Sequence, residues 1–121
     1  MKPETIKIDE VEYVRKDSIS QKATQLNGMD YCIVRTQSAG VFAGFLESRN
    51  GKEVVMRNAR RIWYWDGAAS LSQLAMEGSS KPQNCKFPAP VDKVVLLEVI
   101  EILDCTEKAK KNIEQVIIWK S

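Results

Sequence analysis

Three consecutive segments decide the fold: Tyr31-Cys-Ile-Val-Arg-Thr36, Val41-Phe-Ala-Gly-Phe-Leu-Glu47 and Glu53-Val-Val-Met-Arg-Asn-Ala-Arg-Arg-Ile-Trp-Tyr-Trp65. The first is rich in β-branched residues and reads as a strand. Ser38-Ala39-Gly40 turns the chain, and Val41 to Glu47 returns as a second strand with Gly44 as a bulge or close-packing point. Arg49-Asn50-Gly51-Lys52 is the clearest turn signal, because Asn-Gly accepts the positive φ angles of a two-residue hairpin loop. The third strand is long, Glu53 to Trp65, with a bend or bulge at Asn58-Ala59. A three-stranded antiparallel meander over 31–65 follows.

Upstream, Ile6 to Val14 alternates around Asp9-Glu10 and predicts a short hairpin. Asp17 is placed to cap a helix over Ser18 to Leu26, with Gly28 as its stop. Downstream, Ser70-Leu-Ser-Gln73 has the form of a capping box opening a short helix from Leu71 to about Met76. Ser79 to Pro90 carries three prolines and reads as a surface loop. Lys93 to Leu103 fits one strand, although Leu96, Val99, Ile100 and Leu103 also suit a helix face. Thr106 caps a helix from Glu107 to about Gln115, and Val116 to Trp119 is expected as a final strand. The expected class is α+β, a mostly antiparallel sheet with two or three short helices, in one domain of 121 residues.

Composition narrows the function. Apolar residues make up 44% and charged residues 28%, as in ordinary globular chains. An apolar run such as Val94-Val95-Leu96-Leu97 falls far short of the ~20 residues that span a bilayer, so no membrane partner is expected. Met1-Lys-Pro-Glu-Thr5 is followed by no apolar signal core, and Cys32, Cys85 and Cys105 are an odd, widely spaced set. Reduced thiols and a cytoplasmic location are the expectation. A net charge of +2, from 18 basic and 16 acidic residues, is too balanced for gripping long nucleic acid by its backbone. There is no histidine, no Cys-x-x-Cys pair and no phosphate-loop glycine pattern. Neither a catalytic residue nor a metal or cofactor is expected.

Three constellations could hold a ligand. In an unbroken strand Arg57, Arg61, Trp63 and Trp65 share one face, with Asn58, Arg60, Ile62 and Tyr64 on the other. Guanidinium forks beside indoles suit a ligand with phosphates and bases; equally, the indoles could be packing with the arginines laid over them. The loop Pro82-Gln-Asn-Cys-Lys-Phe-Pro88 offers Asn84, Lys86 and Phe87 on a proline-stiffened segment, either as a pocket wall or with Phe87 tucked into the core. Thr106-Glu-Lys108 opens a helix whose free N–H groups and Lys108 could take a phosphate, or which Thr106 simply caps.

Val34-Arg-Thr-Gln-Ser-Ala-Gly-Val41, Ser48-Arg-Asn-Gly-Lys-Glu-Val-Val55, Ala59-Arg-Arg-Ile-Trp-Tyr-Trp-Asp-Gly-Ala68, Asn84-Cys-Lys-Phe-Pro88 and Glu101-Ile-Leu-Asp-Cys-Thr-Glu-Lys108 together resemble the small phage anti-Thoeris proteins of the first-described type. The likeness runs from about Ile6 to Trp119 and contains no catalytic signature. The resemblance implies a sponge. Such proteins sequester, without degrading it, the cyclic ADP-ribose isomer (glycocyclic ADP-ribose) that a bacterial TIR-domain immune enzyme makes. It further implies an even-numbered homo-oligomer, a hexamer, with the signal held between subunits in the host cytoplasm, and cyclic di- or trinucleotides as further ligands of some members. It supplies no site map, so the candidate ligand residues remain Arg57, Asn58, Arg61, Trp63, Trp65, Asn84, Lys86, Phe87, Thr106 and Lys108. Two other readings of the same residues are a small single-stranded nucleic-acid-binding regulator and an enzyme that opens the cyclic nucleotide.

Overall fold

The computed structural model of the protein describes residues 21–120. The meander forms as β1 (Asp30–Thr36), β2 (Val41–Asn50) and β3 (Glu53–Arg61), each paired antiparallel with the next. β4 (Val91–Leu96) and β5 (Val99–Asp104) complete an antiparallel sheet in the order β4-β3-β2-β1-β5. Helices α1 (Leu71–Glu77) and α2 (Glu107–Gln115) and a 3-10 turn (Pro82–Asn84) make up the rest, so the class is α+β.

β4 and β5 lie at opposite edges of the sheet, yet only Leu97 and Glu98 separate them in sequence. Five flat strands would set the edges about 19 Å apart. Three peptide units reach at most about 11 Å. The sheet must therefore curl until its edges meet at this corner. Hydrogen bonds clasp the corner from both sides: the Val99 N–H donates to the Lys52 carbonyl, and the Glu98 carbonyl accepts from the Gln37 N–H, each at 3.0 Å. Gln37 and Lys52 sit in the turns at the two ends of β2, so β2 itself is bent, and its pairing with β3 slips between Leu46 and Ser48.

The curl creates two cores. Inside it, Cys32, Val34, Phe42, Val54, Met56, Ala59, Leu96 and Val99 close on one another. On the outer face Tyr31, Ile33, Ala43 and Phe45 pack against Leu74 and Ala75 of α1, Ala109 and Ile113 of α2, and Phe87. α1 is capped by the Ser70 hydroxyl, which accepts from the Gln73 N–H, and α2 by that of Thr106, which accepts from the Ala109 N–H. Asn112 ties the helices together: its Oδ1 accepts from the Ser79 N–H (2.9 Å) and its Nδ2 donates to the Ser79 carbonyl (2.8 Å).

Several expectations are corrected. No helix runs through residues 21–26: Ala23 N–H donates to Cys105, and Leu26 and Met29 exchange two hydrogen bonds around Asn27 (φ 52°) and Gly28 (φ 81°), a hairpin loop of positive-φ residues. The remainder of that expected helix, and the expected hairpin over Ile6 to Val14, lie outside the described residues. The hairpin loop after β2 is Gly51-Lys52, one residue later than Asn50-Gly51, with Gly51 supplying the positive φ. The long third strand stops at Arg61, beyond which Tyr64 makes only an isolated bridge to Lys86. The single strand expected over Lys93 to Leu103 is two strands broken at the corner. Val116 to Trp119 forms no strand but one parallel bridge, Phe87 to Ile118.

The bulge at Asn58 is real. Its φ is +50°, and opposite it the Gly44 Cα approaches so closely that a Cβ there would lie 2.7 Å from the Ala59 Cα. Gly44→Ala should therefore cost about 1–3 kcal/mol of stability in denaturant unfolding. Asn58→Gly, which accepts the same φ, should leave stability nearly unchanged. Equal stability of Gly44→Ala and the parent would show that the strands can separate there.

Candidate functional site

The bulge redistributes the arginines. Arg57 pairs through its Nε with the Glu47 carboxylate, at the edge of an open groove shared with Asn58 and Asp92. Arg61 lies with its guanidinium carbon 4.4 Å from the Phe42 ring centroid and donates to the Ala39 carbonyl. Arg60 is 5% exposed, and its Nε, Nη1 and Nη2 donate to the carbonyls of Pro88, Ile113 and Phe87 at 2.9–3.0 Å. Burial works against its charge. The expected shared face of Arg57, Arg61, Trp63 and Trp65 is thus not formed, because Asn58 shifts the alternation and the strand ends before the indoles. Trp65 is half-buried against the outer core, its indole N–H donating to the Ala68 carbonyl.

Trp63 goes the other way. It is 62% exposed and parallel to Trp119, with ring centroids 6.4 Å apart and an interplanar angle of 6°. The Lys86 Nζ lies 5.7 Å from the Trp119 ring centroid and 5.8 Å from that of Tyr64. Backbone bonds fix this arrangement: Lys86 N–H donates to the Tyr64 carbonyl, the Trp63 and Tyr64 N–H groups donate to the Lys86 carbonyl, and Trp119 N–H donates to Phe87. Of the expected ligand residues, Trp63 and Lys86 are brought together. Tyr64 and Trp119 join them without having been singled out. The only sequence signal for Trp119 was its aromatic type, since Trp63 lies 56 positions away in sequence and meets it through two successive bridges, Tyr64 to Lys86 and Phe87 to Ile118.

Phe87 is corrected outright. Its ring is fully buried, under the Arg60 guanidinium, and cannot stack on a ligand. Alternation along Asn84-Cys-Lys-Phe explains this: the bridge to Tyr64 turns Lys86 outward and Cys85 and Phe87 inward. Asn84, in the 3-10 turn, donates to the Asp66 carboxylate at 3.0 Å and holds that carboxyl below its ordinary range, with help from the Gly67 N–H. Thr106 is buried; its hydroxyl donates to the Met76 carbonyl and caps Ala109, while its N–H bonds Ala75 and that of Glu107 bonds Gln21. The Glu107 carboxylate accepts from the Thr24 N–H at this same end. This helix start is capped and carries a carboxylate, which leaves Lys108 as an exposed cation beside no phosphate cradle.

Cys32 and Cys105 are poor nucleophiles. All three cysteines are buried; burial pushes Cys105 up to about 12 and Cys32 further, with the Asp104 carboxylate adding to the effect at both. Among the described residues no three Cys, Asp or Glu gather where they could hold a metal ion, and no helix is long and apolar enough to cross a membrane.

No curated protein and no solved structure matches the chain. One family does: the Domain of unknown function (DUF6948) matches residues 29–113, which runs from the start of β1 almost to the end of α2.

Phe87→Ala should lose about 3–5 kcal/mol of folding stability. In Asn84→Ala the Asp66 carboxyl should return toward its ordinary pKa, read by NMR titration. Because folding depresses that pKa, the associated stability is present above the unfolded value and lost as pH falls through the folded one, so Asn84→Ala should flatten this acid dependence. A Phe87→Ala protein as stable as the parent would contradict the core assignment.

Proposed function

We propose a binding function for this chain, which belongs to the DUF6948 family: it captures a cyclic ADP-ribose isomer and holds it intact, acting as a sponge for a bacterial immune signal. One observation carries the reading. Trp63 and Trp119 present parallel indole faces at the surface with the Lys86 ammonium alongside. Such a ligand offers an adenine for stacking and a pyrophosphate for a cation, and this surface supplies both partners. Burial of all three cysteines, which leaves no exposed thiol to attack the ligand, supports retention over turnover. The likeness of the sequence to phage anti-Thoeris proteins supports the same ligand class and action in the host cytoplasm.

Competing with an effector for a signal demands about nanomolar affinity, on the order of −12 kcal/mol. An open platform is poorly suited to that. Trp63, Tyr64 (50% exposed) and Ile117 (84%) leave apolar surface that a second copy could cover, closing a pocket over the ligand. The expected assembly is an even-numbered homo-oligomer, a hexamer by the resemblance.

Titration calorimetry against cyclic ADP-ribose isomers and cyclic di- and trinucleotides tests this. At least one isomer should bind tightly and be recovered intact after heat release. Trp63→Ala and Trp119→Ala should each weaken binding by about 1–3 kcal/mol. If instead a single-stranded oligonucleotide binds best, with affinity falling steeply in salt, the platform serves nucleic acid. Recovery of an opened ligand would make the protein an enzyme.

A further inference from the structure

A surface pocket of about 280 Å3, open to solvent on one side, lies between β1, the β3 bulge and the chain around α2. Arg60, Tyr31 and Asn58 line it, with Pro90, Val116 and Ile118 as apolar wall. A guanidinium carries five N–H donors. Three of those of Arg60 reach carbonyls, and the remaining two find no partner among the described residues. Nor does any carboxylate among the described residues lie within ion-pair distance of this cation. Tyr31 is 3% exposed, and its hydroxyl has no hydrogen-bond partner among the described residues. The Asn58 side-chain amide, held at the bulge by a positive-φ backbone, is likewise without a bond among them.

A buried cation that meets only carbonyl dipoles among the described residues is incompletely compensated there, and a buried hydroxyl without a partner among them is costly. Both are resolved by one ligand. We propose that this pocket binds a small organic anion, a single ring bearing one carboxylate or phosphate. The anionic group meets the two remaining Arg60 N–H groups, the Tyr31 hydroxyl and the exposed Asn58 amide, while the ring lies against Pro90, Val116 and Ile118. The volume falls just short of the roughly 300 Å3 at which pockets for drug-sized ligands begin, which limits the occupant to one ring. Glu114 also lines the pocket, paired with Lys110 at 3.4 Å. Its carboxylate disfavours a second anionic group beside the one that Arg60 meets, and the volume leaves little room for one, so a pyrophosphate is a poor fit. The site uses neither Trp63 nor Lys86 and does not rest on the sponge reading.

Calorimetry on the full chain with benzoate and phenyl phosphate decides the matter, with benzyl alcohol and inorganic phosphate as controls. One of the two ring anions should bind below millimolar concentration, and both controls at least tenfold more weakly. Tyr31→Phe keeps the ring and Asn58→Gly keeps the backbone, so both should fold; each should weaken the anion at least fivefold. Arg60→Gln should abolish binding, and if it fails to fold the other two variants still decide. Trp63→Ala should leave the anion's affinity unchanged. The proposal is overturned if neither ring anion binds below millimolar, if Tyr31→Phe and Asn58→Gly bind as the parent does, or if Trp63→Ala removes binding. A protein that takes benzoate but no cyclic ADP-ribose isomer would refute the sponge and leave this site standing.

Discussion

Two residues, Leu97 and Glu98, join the opposite edges of the sheet, and most of the architecture is a consequence of that short span. A connection this short brings β4 and β5 together, curls the strands between them and bends β2 until both of its turns meet the corner. The curl gives a small chain two buried layers where a flat sheet with two short helices would have one. The helices are then confined to the outer face, and the loop from Ser79 to Pro90 has to cross from α1 back to β4 over that face.

Local chemistry made much of this legible. The β-branched runs, the Asn-Gly turn, the Gly44 and Asn58 irregularity and the two capped helices are short-range signals, and all appear close to where the residues place them. The errors share one cause, which is that a tertiary partner decided the outcome. Residues 21–26 carry helix-compatible spacing but pair with Cys105 and Glu107, far along the chain. Lys93 to Leu103 has one continuous strand-like composition, and nothing in Leu97-Glu98 announces a corner; the break is set by the two halves pairing with different strands, β3 and β1. Asn27-Gly28 did carry a readable turn signal, the same dipeptide as Asn50-Gly51.

The site was less legible, and again for a definite reason. Alternation along 57–65 assigns faces only if the strand is regular, and the extra residue at Asn58 changes which arginine goes inward. Arg60 took the buried place and Arg61 the surface place over Phe42. In the loop, Lys86 and Phe87 are neighbours in sequence but point to opposite sides, so one became a surface cation and the other core. Composition could say that an amide, a cation and a ring were present there. It could not say which of them faced water.

Arg60 links the interior to the exposed aromatic surface. Its three carbonyl bonds hold Phe87 and Pro88 of the loop and Ile113 of α2 in one fixed relation to β3. Phe87 in turn accepts the Trp119 N–H, and the residue before it pairs with Tyr64. The positions of Trp63, Trp119 and Lys86 are therefore inherited from a buried guanidinium and a buried ring, and do not depend on surface contacts alone. Side chains anchored in this way lose little further freedom when a ligand stacks on them, which is where a small surface gains affinity it could not obtain from area. Among the described residues the same bonds leave Arg60 with two further donors at the neighbouring pocket. One buried cation thus sets the geometry of the aromatic surface and the polarity of that pocket, and a change at Arg60 must be felt at both.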